Sequence, residues 1–152
     1  MAAAALAGCG FAPVYGPQGA GTALRGQFLA DEPDTRFGYA FVARIEDRLG
    51  RANNARWALG YKIDTHQTAV GIDSQNATTR YNITGTVTWE VRPLDGDEVV
   101  LSDATGSFTG YSATGTAVSA FTARRDAEDR LMAILADQLV AQIYARAGEL
   151  PQ

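Results

Sequence analysis

RYNITGTVTWEVRP, residues 80–93, is the segment that decides the fold. Its apolar positions recur at every second residue, which is the period of a β-strand with one buried face. The apolar face carries Gly85 together with the larger side chains of Tyr81, Ile83, Val87, Trp89 and Val91. The opposite face carries Asn82, Thr84, Thr86, Thr88, Glu90 and Arg92. We therefore predict a strand that buries one side and leaves a threonine-rich side open.

Three more strands are predicted around this one. Residues 56–69 alternate in the same way, with Trp57, Leu59, Tyr61 and Ile63 on one side. Residues 24–30 predict a first strand. Asp95-Gly96-Asp97 predicts a hairpin turn that leads into a fourth strand over residues 98–111. We expect polar loops at residues 71–79 and 112–119.

Two segments have the period of an amphipathic helix. The first follows the capping pair Asp34-Thr35, ends at Leu49 before Gly50, and has an apolar stripe of Phe37, Phe41, Val42, Ile45 and Leu49. The second runs from about residue 119 or 122 to Arg146, with a stripe of Leu131, Ile134, Leu135, Leu139 and Ile143. The order βαβββα predicts an α+β two-layer sandwich, in which two helices pack on one face of a four-stranded mixed sheet.

Composition excludes several classes of function. The chain has 152 residues, enough for one domain, and a formal net charge of −4, which argues against a nucleic-acid partner. It contains one histidine and one cysteine, and no nucleophile, metal-ligand or phosphate-loop motif. We interpret His66 as a solvated strand residue. The sequence therefore predicts a protein that is not an enzyme and that has no cofactor and no catalytic or metal site.

The N-terminus carries a processing signal. Leu6-Ala7-Gly8-Cys9 resembles the lipobox of bacterial lipoproteins, in which a peptidase cuts before the cysteine and the thiol carries a diacylglycerol. We therefore predict that Cys9 is lipidated. Residues 1–8 would be the residual tail of a signal peptide, residues 9–23 the lipidated cysteine and an extended tether, and residues 24–152 a single α+β domain. Because Gly10 rather than Asp follows the cysteine, we expect the outer membrane, on its periplasmic side.

A longer resemblance begins at the same cysteine. The string CGFAPVYG, residues 9–16, resembles the start of the mature LPS-assembly lipoproteins of the LptE family, and the chain length and the order βαβββα are similar too. The resemblance implies a non-enzymatic plug inside an outer-membrane β-barrel, the LPS transporter LptD, which it helps to assemble and through which lipopolysaccharide reaches the cell surface. An alternative stays open, a free-standing periplasmic lipoprotein that binds a small apolar ligand between the sheet and the helices.

Two sets of residues are candidate sites. Thr84, Thr86 and Thr88 form either an ordinary solvated sheet face or an interface with the barrel partner, in which hydroxyl pairs and bridging waters replace apolar contacts. The loop at residues 71–79 contains no Lys or Arg. The candidates for contact with LPS phosphates are therefore Arg80 and Arg92, whose guanidinium groups suit phosphate; each is otherwise a solvated charge.

Overall fold

The computed structural model describes residues 16, 19–72, 74 and 78–151. A four-stranded sheet has the spatial order β1-β2-β3-β4, with β1 parallel to β2 and the other neighbours antiparallel. The predicted α+β sandwich with βαβββα order is confirmed. The elements are α1 Ala20–Ala23, β1 Phe28–Ala30, α2 Arg36–Leu49, β2 Trp57–Ile72, β3 Thr78–Pro93, β4 Leu101–Ser112 and α3 Ala117–Ala145, followed by a 3₁₀ turn at Ala147–Glu149.

Strand β3 has the two faces that its alternation predicts. Ile83, Val87, Trp89 and Val91 are buried beneath the helices. Gly85 lies among them because α3 crosses the sheet closely there. A Cβ on Gly85 would stand 2.9 Å from Leu135 Cδ1 and 3.1 Å from Leu131 Cδ2. The threonines of the other face are exposed.

Helix α2 begins and ends where its capping residues predict. The Thr35 hydroxyl oxygen accepts a hydrogen bond from Gly38 N at 3.1 Å, which satisfies a backbone donor that the first turn would leave unpaired. Gly50 ends the helix in a left-handed conformation, with φ of 79°. Phe41, Ile45 and Leu49 are buried on the side that faces the sheet and α3.

Helix α3 buries a wider stripe than predicted, and one predicted member is wrong. Leu131, Leu135, Leu139 and Ile143 are buried, but Ile134 is 37% exposed. At 100° per residue, Ile134 stands about 140° around the helix axis from the centre of the buried stripe. Four other residues complete the stripe. Ala127 lies at its start, and Met132, Ala136 and Val140 each follow a predicted residue by one position.

The segment before α2 differs from its prediction. Only residues 28–30 of the predicted strand 24–30 form β1, and residues 20–23, predicted as part of an extended tether, form one helical turn. The backbone turns because Ala23 N donates to Gly19 O and because Gly26 adopts a φ of 74°. The side chain of Gln27 closes this turn by donating from Nε2 to Ala23 O at 2.7 Å.

The strand ends also differ from prediction by a few residues. Strands β2 and β3 extend their pairing to Ile72 and Thr78, so the connection between them is shorter than the predicted loop 71–79. The turn after β3 is closed by Gly96 N, which donates to Pro93 O at 3.1 Å. Strand β4 starts at Leu101 instead of residue 98, because Glu98 and Val99 are exposed and lie outside the ladder.

The two long helices are joined to each other by ion pairs. Asp137 of α3 accepts hydrogen bonds from Arg44 Nε at 2.9 Å and from Arg48 Nε at 2.8 Å, both from α2. Hydrogen bonds from Arg48 and Arg44 lower the pKa of Asp137 from 3.8 to about 2. Farther along, Arg36 pairs with Glu128 and Asp129. Both long helices lie on one side of the sheet, and no helix of the described residues covers the other side.

Candidate functional site: the open face of the sheet

The uncovered side of β2, β3 and β4, which we call the open face, is the candidate site. Thr84, Thr86 and Thr88 all lie on it and all are exposed. Each is the centre of a row that runs across three strands, because cross-strand partners share a face. The rows are His66–Thr84–Phe108, Asp64–Thr86–Gly106 and Lys62–Thr88–Ala104. The structure therefore brings the three predicted threonines together on one surface.

The charges on this face are largely paired with one another. Lys62 Nζ lies 3.6 Å from Asp64 Oδ2, and Arg92 forms an ion pair with Glu90, its neighbour two residues away on the same strand face. Exposed pairs of this kind contribute little to stability, on the order of 0–1 kcal/mol. Their effect here is on the character of the surface, which is rich in hydroxyl groups and nearly neutral.

The two arginine candidates are not brought together. Arg80 and Arg92 are twelve residues apart on one strand, so they are separated by roughly 40 Å at about 3.3 Å per residue. Arg92 is engaged with Glu90. Arg80 is exposed beside Gly71 and Ser112, and no carboxylate of the described residues lies within ion-pair distance of it. A single phosphate cannot contact both guanidinium groups.

A shallow cleft of about 470 Å³ opens on the same face beyond Thr88. Its floor is Gly60, where a Cβ would stand 3.2 Å from Glu90 Cγ and 3.4 Å from Asp31 Oδ2. Lys62 and Ser102 also line it. With the three carboxylates of Asp31, Glu90 and Asp103 at its wall, the cleft can accept a hydroxyl or a basic side chain of a partner. No group of acidic, His or Cys side chains among the described residues could hold a metal ion.

Comparison with known protein families identifies the family of this chain. Residues 23–143 match the family model LptE, described as lipopolysaccharide-assembly. The chain belongs to the LptE lipopolysaccharide-assembly family. The match runs from the end of α1 to residue 143 in α3, which includes the whole open face. The LptE family is non-catalytic, and its role in lipopolysaccharide assembly agrees with the resemblance stated for residues 9–16.

Solved structures share the fold of this LptE-family chain. A candidate lipoprotein from Caulobacter crescentus CB15 has a TM-score of 0.70 at 17% identity, covering 83% of this chain and 94% of that one. Rare lipoprotein B from Shewanella oneidensis has a TM-score of 0.57 at 12% identity, covering 80% and 94%. A minor lipoprotein from Acinetobacter baumannii has 0.58 at 12%, covering 80% and 90%. A comparison with curated protein sequences found no match.

One prominent residue of the open face was not predicted. Phe108 is 67% exposed beside Thr84. The alternation Ser107-Phe108-Thr109 places it on one face of β4, but which face depends on the register with β3. The predicted lipidation site, Cys9, lies outside the described residues. Within the described part of the chain, no helix is both long and apolar enough to cross a membrane.

Proposed function

We propose that this LptE-family chain is an outer-membrane lipoprotein, anchored through Cys9, that plugs the lipopolysaccharide-transport β-barrel LptD and helps it assemble. In this role it assists delivery of lipopolysaccharide to the cell surface and carries out no chemical reaction of its own. The observation that carries the proposal is the open face of this LptE-family chain, a broad hydroxyl-rich surface that none of the helices or strands described above covers.

The chemistry of the open face suits the polar interior of a barrel. Threonine hydroxyls can donate and accept, so they pair with lumenal side chains directly or through bridging waters. Gly106 and Ala104 flank Thr86 and Thr88 and keep the surface flat. Because Lys62 and Arg92 already have acidic partners, docking need not strip water from isolated charges.

For lipopolysaccharide itself, Arg80 is the stronger of the two candidates. A phosphate that binds Arg92 must compete with Glu90, whereas Arg80 stands exposed at the other end of β3. A guanidinium group offers two parallel donors to phosphate oxygens. We therefore propose that Arg80 contributes to contact with lipid phosphates and that Arg92 mainly organises the open face.

The alternative, an apolar ligand held between the sheet and the helices, finds no support in the packing at the centre of that interface. Leu131 and Leu135 of α3 approach Gly85 so closely that even a methyl group would collide with them. Trp89 Nε1 also donates to Gln142 Oε1 at 3.0 Å, so strand and helix are in direct contact there too.

Co-isolation from outer membranes tests the proposal. Affinity-tagged chain expressed with a native lipoprotein signal should bring down a stoichiometric β-barrel protein from detergent extracts. Thr86→Glu should reduce the yield of the barrel without unfolding the domain, because it introduces an unpaired charge into the contact. Thr122→Glu, at a threonine that is also exposed but lies on α3, is the matched control and should have no effect. A monomeric chain with no barrel companion would overturn the proposal.

Mass spectrometry of the same preparation tests the anchor. The mature chain should begin at Cys9 and carry a diacylglycerol, with a further acyl chain at the amino group. A single acyl chain binds membranes only reversibly, so several chains are needed for stable attachment. An unmodified Cys9 in the mature product would refute lipidation.

A further inference from the structure

The two edges of the sheet differ in how far their outward backbone groups are hydrogen-bonded. On β4, side chains of α3 reach the backbone carbonyl oxygens that point outward. Arg146 Nη1 donates to Ser102 O at 3.0 Å, Arg130 Nη2 lies 3.4 Å from Gly110 O, and Gln142 Nε2 lies 3.5 Å from Ala104 O. The outward Ala104 N is satisfied as well, by Asp103 Oδ1 at 2.8 Å. Much of this edge is therefore closed by the chain itself.

The other edge is β2 for most of its length. Strand β1 pairs only with residues 57–59, so no strand of the described residues lies beside β2 on that side from Gly60 onward. Residues 64–70 are all exposed. The ladder with β3 is regular until the bulge that follows Ala69. A strand edge of about nine residues, roughly 30 Å long, therefore stands open.

The hydrogen bonds at the start of β2 show which backbone groups point outward. Trp57 N donates to Gln27 O, and Leu59 O accepts from Asp31 N, so the odd-numbered residues face β1. Arg56 O accepts from Leu94 N, so the even-numbered residues face β3. Because the alternation is unbroken, the N–H and C=O groups of residues 61, 63, 65, 67 and 69 point outward. No backbone hydrogen bond from another described segment reaches them.

We propose that this edge pairs with the same edge of a second copy of the chain, antiparallel, about a two-fold axis at Thr65. In this register residues 61–69 of one copy pair with residues 69–61 of the other, and every outward group of the open edge is used. Asp64 of each copy then stands opposite His66 of the other copy, so each imidazole can donate a hydrogen bond to a carboxylate. This pairing is a state of the chain outside the barrel, because a barrel wall around a plug leaves no room for a second copy beside the β2 edge.

Other symmetric registers fit the edge less well. An axis at Asp64 sets this carboxylate against itself, which is unfavourable for directly opposed strand residues. An axis at Ile63 directs the pairing onto residues 57–59, where β1 already lies, so only residues 61–65 can pair. An axis at Gln67 uses only residues 65–69 before the bulge. Only the axis at Thr65 pairs the whole open edge, residues 61–69.

Disulfide cross-linking tests this register. In the full chain with Cys9→Ser, an introduced cysteine is the only thiol. Thr65→Cys should form disulfide-linked dimers on mild oxidation, because opposed residues of a hydrogen-bonded pair have Cα atoms about 5.5 Å apart, within the range of a disulfide. Thr122→Cys, exposed on α3, is the control and should stay monomeric. Equal cross-linking at both positions, or none at Thr65, would overturn the proposal.

A mixture of two different cysteine variants tests the direction of the strands. Ile63→Cys and Gln67→Cys should each fail to cross-link alone, because like positions are then about 13 Å apart. Mixed together they should cross-link, since residue 63 of one copy opposes residue 67 of the other. Cross-linking of either variant alone with failure of the mixture would refute the register. Capture of a different protein at Thr65 in cell envelopes would show that another chain takes the edge.

Two single proline substitutions distinguish an effect on assembly from an effect on folding. Thr65→Pro removes only an outward N–H, which edge strands tolerate, so it should keep a cooperative melting transition. It should lower the Ile63–Gln67 cross-link by about tenfold, the effect of losing about 1.4 kcal/mol. His66→Pro removes a donor to β3 and should lower the melting temperature instead. Undiminished cross-linking in folded Thr65→Pro would contradict the proposal. Should Thr65→Pro fail to fold, the cysteine variants decide it.

Discussion

Replacing Asp137 by asparagine tests how the two helices are held together. The carboxylate accepts hydrogen bonds from Arg44 and Arg48, and these bonds are the main reason why its pKa lies below the usual range. Asparagine keeps the shape of the side chain but removes the charge. Both guanidinium groups would then lose this charged partner at the junction of α2 and α3. We expect Asp137→Asn to fold and to unfold at lower temperature.

The size of the effect follows from the pKa shift. A change from 3.8 to about 2 corresponds to an upper limit of about 2.4 kcal/mol at 1.36 kcal/mol per unit. The Asp137 side chain is 36% exposed, and solvent screening reduces this to about 1 kcal/mol. For a chain of this size that corresponds to a fall in Tm of about 3 °C.

The dependence on pH gives the sharper test. The folded pKa is lower than the unfolded value, so the ionised carboxylate stabilises the fold above pH 3.8, and this stability is lost as pH falls toward about 2. Melting curves of wild type and Asp137→Asn should therefore differ near neutral pH and converge near pH 2. Asp97→Asn, in the exposed connection after β3, is the control and should match wild type throughout. A difference that persists at pH 2, or none at pH 7, would refute the reasoning.

Three further substitutions address the core and the lipid contact. Trp89→Ala should cost about 3–5 kcal/mol in urea unfolding, because it leaves a large cavity and removes the donor to Gln142; a loss below about 1 kcal/mol would show that Trp89 is not a core residue. Gly85→Val should destabilise by at least about 1–3 kcal/mol because α3 must move, whereas Gly106→Val on the open face should be tolerated; equal effects would contradict the close approach of α3. Arg80→Ala should weaken retention on immobilised lipopolysaccharide, with a difference that shrinks at high salt; unchanged retention would exclude a phosphate contact.

The parts of the fold that local sequence encodes could be predicted. The alternation of β3 predicts both of its faces, and the hydroxyl of Thr35 and the glycine at position 50 predict the ends of α2. The Glu90–Arg92 ion pair was not predicted, although the alternation places both side chains on one strand face.

The parts of the fold that depend on tertiary contacts could not be predicted from local sequence. Apolar residues of α3 outnumber the positions that face the core, so periodicity alone does not reveal that Ile134 lies outside. The side on which Phe108 points depends on the register set after the connection at residues 94–100. The turn near Gly26 depends on its positive φ, which glycine permits but does not require.

The most direct test of the proposed function is a photo-crosslinking amino acid placed at position 86 of the lipidated chain in intact cells. Position 86 lies at the centre of the open face, and position 122 on the outer side of α3 provides a matched exposed threonine. If the open face lies against the barrel, irradiation should join position 86 to a β-barrel protein of the outer membrane and leave position 122 without that product. A barrel cross-link from position 122 and none from position 86 would contradict the account.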